Sequence, residues 1–270
     1  MQNDRAISRP KASSTVLPFP ARWLGIVLIA TVVTAPGAPD SVPLSEPARQ
    51  ADIYYQQRQD AENVRKALTL VRDATARNPQ DYEDWWRVAM FTNFLARRAT
   101  AAEKSRLLDE GIEAGKKAVV LSPNRVEGHF WLGANYGLAA EAGGFLQGLH
   151  LVGDIRSEMQ TVLKLNPEYQ EAGALRILAR VYLHAPFFLG GNKRRSIELL
   201  DECQKRYPQN SQAMLFLADS YLAVGRKEDA RKQLESILNH SPDPEFGPEL
   251  TENQAEARAR LAKFFGIGKL

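Results

Sequence analysis

The chain has 270 residues, 44% of them hydrophobic and 25% charged, with a net charge of +3. That length buries a sizeable core and the composition is that of a soluble domain, which excludes a multi-pass membrane protein. Arg5, Arg9, Lys11 and Arg22 against Asp4 account for the whole net charge, and the neutral remainder argues against a nucleic-acid footprint, which needs concentrated basic surface.

The basic stretch is followed by WLGIVLIATVV at 23–33 and then by the small-residue run TAPGAP. A basic n-region, an apolar h-region of about 7–15 residues and a small-residue site form a signal-peptide pattern, too short for a comfortable bilayer span. Residues 1–38 therefore read as a signal peptide or, if uncleaved, as an N-terminal membrane anchor. Export is the expected consequence, with the folded part in the periplasm or held at the inner membrane facing it. Residues 39–48, rich in proline, form a linker. A helical domain is expected over 49–268, opening with a short helix that contains Tyr54 and Tyr55 and caps one end of the domain.

Proline then punctuates the chain. Helices are predicted to end at Asn78-Pro79, Ser122-Pro123, Asn166-Pro167, Tyr207-Pro208 and Ser241-Pro242, because Pro cannot continue a helix and restricts the residue before it. The steps between these prolines are 44, 44, 41 and 34 residues. Within the last step, Leu217, Ala218 and Tyr221 share one helical stripe, Gly225 opens a turn, and Ala230, Leu234 and Ile237 face back from a second helix. This is the tetratricopeptide (TPR) pattern. Phe130, Trp131, Leu132, Gly133 and Tyr136 repeat its L-G-x-x-Y signature, as do Leu178, Ala179 and Tyr182; Trp85, Trp86 and Ala89 fit it more loosely. Gly111 and Gly115 are poor helix formers and mark a tight helix contact.

One such hairpin cannot bury its apolar face alone, so an all-α, TPR-like helical-hairpin solenoid of about four hairpins plus capping helices is predicted. The seven to ten extra residues of the early units are expected in turns at 98–103, 143–153 and 186–192, and 249–265 as a closing helix. Phe145, Leu146, Leu149, Leu151, Phe187, Phe188 and Leu189 make two of those turns too apolar for loose surface loops. They are expected to fold over the groove or to meet a partner.

No chemistry accompanies this architecture. Cys203 is the only cysteine and falls at a small core place, so no intrachain disulfide is available. His129, His150, His184 and His240 lack metal-ligand spacing, and no P-loop, G-x-S-x-G or dinucleotide motif is present. The chain is read as a non-enzyme without metal or cofactor.

Binding is expected on the inner surface, which the first helix of each hairpin lines. If Ala89, Gly133, Ala179 and Ala218 are equivalent, the groove receives Trp86, Met90, Asn93 and Phe94, then Phe130, Ala134, Gly137 and Leu138. Arg176, Arg180, Leu183 and His184 come next, then Leu215, Asp219 and Leu222. It is apolar at one end and basic in the middle. Arg176 and Arg180 stand one helical turn apart, so both guanidinium groups can point at one carboxylate or phosphate. The expected site is Trp86, Met90, Phe94, Phe130, Leu138, Arg176 and Arg180, with Phe187 and Phe188 from the insertion. Its occupant would be an anionic apolar small molecule or a partner's acidic, apolar segment. The alternative is a structural scaffold for envelope assemblies, its groove filled and Arg176 and Arg180 paired with Glu127 and Asp219.

WWRVAMF (85–91), HFWLGANYG (129–137) and GALRILARVYLHAPFFLGGNKRRSIELLDECQKRYPQN (173–210), in that order, resemble the TatT component family. These are exported TPR proteins associated with TRAP-type (tripartite ATP-independent periplasmic) transporters. A looser similarity runs to the regulator of microtubule dynamics proteins, which share the helical layout. The TatT resemblance covers roughly residues 50–240. It implies a periplasmic oligomer, commonly a trimer, that associates with the transporter's substrate-binding subunit and handles hydrophobic or organic-acid ligands. One departure stands out: typical members carry a lipid-accepting Cys after the signal, and this chain has none there.

Overall fold

The computed structural model describes residues 44–241 and 247–267. The expected leader at 1–38, the linker as far as Pro43, and Pro242 lie outside the described residues, as does the side chain of Phe145. All regular structure among the described residues is helical. Helix α1 (Glu46–Gln56) pairs with α2 (Ala61–Arg77), α3 (Tyr82–Arg98) with α4 (Ala101–Leu121), and α5 (Val126–Ala142) with α6 (Gly144–Leu165). Then α7 (Tyr169–His184) pairs with α8 (Lys193–Arg206) and α9 (Ser211–Ala223) with α10 (Lys227–Leu238), before α11 (Gly247–Phe265) closes the series. No described helix is long and apolar enough to cross a membrane.

The proline boundaries hold: Asn78, Ser122, Asn166 and Tyr207 are the C-caps of α2, α4, α6 and α8. The opposite ends are closed by side chains. Asp60, Asp81, Asn192 and Asn210 each accept a backbone N–H from the first turn of the helix they begin, satisfying a donor that has no intrahelical partner.

Two expectations need correction. The helix bearing Tyr54 and Tyr55 is not a lone cap, because α1 and α2 form a further hairpin that packs on α3. It was hidden because its residues lack the L-G-x-x-Y signature and meet their neighbours through Ala51, Val64, Ala67, Leu68 and Val71. Nor do the extra residues of the early units form turns. They lengthen the second helices, so that α4 and α6 run to 21 and 22 residues against 17 each for α3 and α5; beside the short joints at 99–100 and 143, 185–192 stays outside an α-helix.

Each first helix touches the next first helix, and each second helix packs on the first helix of the following hairpin. Close approach demands small residues, and Ala89, Ala179 and Ala218 are fully buried. A Cβ on Gly115 of α4 would stand 2.9 Å from the Leu132 backbone of α5, which is why Gly occupies a helix interior it otherwise destabilises. The buried Asn135 is satisfied: it donates to the carbonyl oxygens of Ala89 and Trp131, both at 2.9 Å, and accepts from Asn93. Helix α11 takes the place of one more first helix, packing Leu250, Ala257 and Leu261 on α9 and α10.

Candidate functional site

The series of hairpins curls until its end meets its beginning. Arg58, in the bend between α1 and α2, donates from Nε and Nη2 to Glu249 of α11 at 2.8 and 3.1 Å, across 191 residues of chain. Arg98, at the end of α3, pairs with Glu252 of the same helix. Two further contacts hold α11 on the near side: Arg260 donates to Asp219 of α9 at 2.7 Å, and Asn253 to Ser211 at 2.9 Å. The concave surface thereby becomes the wall of a cavity of about 1580 Å³.

Met90, Phe94, Phe130, Trp131, Leu138, Ile177, Leu215 and Phe216 supply its apolar lining, with Leu149 and Val152 contributed by the first turns of α6. Arg58, Arg97, Arg98, Lys104, Arg176, Arg180 and Arg260 face it against Glu141, Glu171, Glu249, Glu252 and Glu256, a surplus of positive charge. Much of that charge is matched within the wall. Arg180 reaches Glu141 at 3.0 Å and Asp219 at 3.2 Å, so the expected Asp219 partner is present and Glu141 is an additional one.

Three cations are different. Arg176, 8% exposed, donates to the Glu171 carbonyl oxygen at 2.6 Å and to Gln212 at 3.2 Å, but forms no ion pair among the described residues. The expected Glu127 instead receives the Tyr82 hydroxyl and Arg125. Burial lowers the pKa of Arg176 from the ordinary arginine value. The side chains of Arg97 and Lys104, either side of the α3–α4 turn, have neither hydrogen bond nor ion pair to a described residue. Arg97 is exposed and lines the cavity; the surrounding protein lowers its pKa, with Glu141 opposing that shift. Arginine stays charged under such shifts. The result is a cation on the cavity wall with its donors unspent.

Arg176 owes its place to a feature with no sequence signal. Gln170, Glu171 and Ala172 take left-handed φ of 53, 51 and 54°, at the start of α7. Such backbone costs about 1–2 kcal/mol per non-glycine residue, and here the turn is braced. Ala172 N–H donates to the Glu168 carbonyl, the Glu171 carbonyl collects the Arg176 guanidinium and the Cys203 thiol, and Asn210 holds the Glu171 carboxylate. The turn sets Gln170 and Glu171 into the cavity wall. Cys203 is fully buried and its thiol pKa is raised by that burial, as for a packing residue.

Of the nine residues expected at the site, Met90, Phe94, Phe130, Leu138, Arg176 and Arg180 line the cavity. Trp86 does not: its indole N–H donates to Glu83 at 2.8 Å and Arg87 stacks on its ring, at the contact with α1. Phe187 and Phe188 do not fold over the groove either, being 91% and 76% exposed on a short 3₁₀ turn, Phe187–Leu189. Arg97 was missed because, beside Arg98 in the last turn of α3, it reads as an ordinary dipole-matched helix end.

The chain matches the family model "Regulator of microtubule dynamics protein 1-3" over residues 48–176 and a tetratricopeptide-repeat model over 191–247. No curated protein sequence matches it. Among solved structures it is similar to TTC0263, a thermophilic TPR protein of Thermus thermophilus. The two share 22% identity over 78% of this chain and 96% of that one, with a TM-score of 0.58. It is similar also to PilW, a widely conserved type IV pilus biogenesis factor, at 16% identity over 84% and 97%, with a TM-score of 0.53. At these identities the likeness shows the fold alone. The fold is that of tetratricopeptide-repeat proteins, which commonly bind protein partners; neither family model is of a transporter component.

Proposed function

We propose that the chain is a non-catalytic binding protein whose cavity holds a ligand with an apolar body and an anionic head, the head lying at Arg97. The observation that carries this reading is an unpaired guanidinium facing a large, mostly apolar-walled space inside the fold. A hydrogen bond to a charged group contributes about 1.5–3 kcal/mol, and Met90, Phe94, Phe130 and Leu138 offer the body of the ligand an apolar surface. An organic or fatty acid fits this description, as does an acidic, apolar segment of a partner protein. In the setting that the TatT resemblance implies, the chain would be exported, the acid would be cargo of TRAP-type uptake, and the partner would be a substrate-binding subunit.

The test is titration of the purified full chain with a fluorescent fatty acid and with its methyl ester. The acid is expected to bind more tightly than the ester. Arg97→Gln should weaken the acid about tenfold or more while leaving the ester unchanged. Failure of the parent protein to bind the acid would remove this reading and leave the filled-groove scaffold.

A further inference from the structure

The turn after α7 is built to hold two phenylalanines in water. Arg156 of α6 donates to the carbonyl oxygens of Leu189 and Gly190 at 2.7 and 3.1 Å, and Gly191 N–H returns to the Pro186 carbonyl at 2.9 Å. Gly190 has φ +77°, and a Cβ on Gly191 would lie 1.8 Å from the Ala185 carbonyl oxygen. A turn secured in this way does not let its side chains collapse onto the fold, and Phe187 and Phe188 stay 91% and 76% exposed.

A second observation concerns charge. Helix α8 begins Lys193-Arg194-Arg195 with no acidic residue in its first turn, although cations oppose the positive end of the helix dipole. Arg195 is partly offset by Glu198, and Lys193 reaches the Ala223 carbonyl. The Arg194 side chain is exposed and makes no contact of either kind with a described residue. Two exposed aromatic rings followed within a few residues by three cations match one kind of surface: an apolar layer beneath negative charge. We propose that this turn is a peripheral docking site for anionic lipid bilayers, with the rings entering the interface and Lys193, Arg194 and Arg195 at the headgroups. Ala185 and Pro186, which lead into the turn, line the cavity, so docking sets the cavity rim at the lipid surface. The site stands apart from Arg97 and does not depend on the ligand reading.

The experiment reports locally, so that the N-terminal apolar run cannot answer for the turn. In the full chain, Phe188→Cys is labelled with an environment-sensitive fluorophore; the one native thiol, Cys203, is fully buried. Mixed phosphatidylglycerol–phosphatidylcholine vesicles are expected to shift the emission to the blue, and added salt to reverse part of that shift. Phe187→Ser should raise the lipid concentration at half-shift about tenfold, and Arg194→Glu about fivefold. Both residues are exposed, so neither change touches the core. Unchanged emission with these vesicles would overturn the proposal. So would an equal shift on pure phosphatidylcholine, or a shift without vesicles that grows with protein concentration, which assigns the turn to contact with a second copy of the chain.

Discussion

The hairpin α5–α6 and the hairpin α9–α10 solve one packing problem with different lengths of helix. The first uses 17 and 22 residues, the second 13 and 12. In the shorter pair Leu217, Leu234 and Ile237 are fully buried and leave little for polar groups to do. In the longer pair and its neighbour α3–α4, the outer helix outruns the inner, and the first turns of α6 overhang the concave side as cavity wall. The interface between these hairpins also carries the buried Asn93–Asn135 contact and the Gly115 approach. The elongated half, matched by the regulator of microtubule dynamics model, thus supplies the apolar walls and Arg97. The regular half supplies the helix that spans them, so the cavity belongs to neither half alone.

The largest expected effect tests whether the elongated half is the stiffer body. Phe91 of α3 is fully buried, its ring 5.2 Å from that of Tyr55, and Phe91→Ala should cost about 3–5 kcal/mol. Because stability in a repeat array is shared between neighbours, urea unfolding of this variant is expected to remain one transition at lower midpoint. Leu234→Ala, about 2–5 kcal/mol, should instead split the transition by releasing α9–α11 first. Identical single transitions for both variants would erase the distinction between the halves.

A smaller effect sharpens the same contrast through two glycines. Gly115→Ala drives a methyl group against the Leu132 backbone and should cost about 1–3 kcal/mol. Gly225, in the turn of the regular hairpin, has φ +78° with open space at its Cβ position, so Gly225→Ala should cost only the left-handed backbone, about 1 kcal/mol. Thermal midpoints that rank them in the opposite order would mean that contact between the long helices is looser than the geometry says.

Helix ends and the groove-facing register were legible in the sequence because each depends on residues within one turn of the position in question. Proline after Asn78, Ser122, Asn166 and Tyr207 stops a helix wherever the hairpin lies, and spacing from Ala89, Gly133 and Ala179 located Met90, Phe130 and Arg180. Closure of the array was not legible, since the meeting of Arg58 with Glu249 sums small rotations over every hairpin. Of the two places expected for Phe187 and Phe188, the groove is the one they do not take, because the backbone bracing from Arg156 and the paired glycines holds them outward. The left-handed turn at 170–172 has no glycine to announce it. It is held by Arg176 and Asn210, partners five and 39 residues away.

The finest distinction between the halves is a proton. The regular half ties α8 to α9 with the neutral pair Ser196 and Ser220, 2.9 Å apart, while the elongated half ties α5 to α6 with His129 and Glu158. His129 Nδ1 lies 2.6 Å from the Glu158 carboxylate and Nε2 lies 2.9 Å from the Pro123 carbonyl oxygen. Both partners are acceptors, so the ring donates at both nitrogens as an imidazolium, and the Glu158 hydrogen bond, opposed by burial, raises its pKa. A raised native pKa adds stability that is complete below the unfolded value of about 6.5 and is lost as pH rises through the native value. Asp84, held up to about 6 by burial, adds a fall of the same sign at the acid edge of this window, and His184, lowered by burial and Arg180, acts with the opposite sign, so the His129 share is read as the difference between wild type and His129→Gln. Urea unfolding across that window should show stability falling with pH, the His129 share being at most the single-proton slope of about 1.4 kcal/mol per pH unit. In His129→Gln the fall should shrink, whereas a Ser220→Ala variant should keep it; a His129→Gln profile identical in slope to wild type would show that His129 carries no extra proton and that the two halves are tied alike.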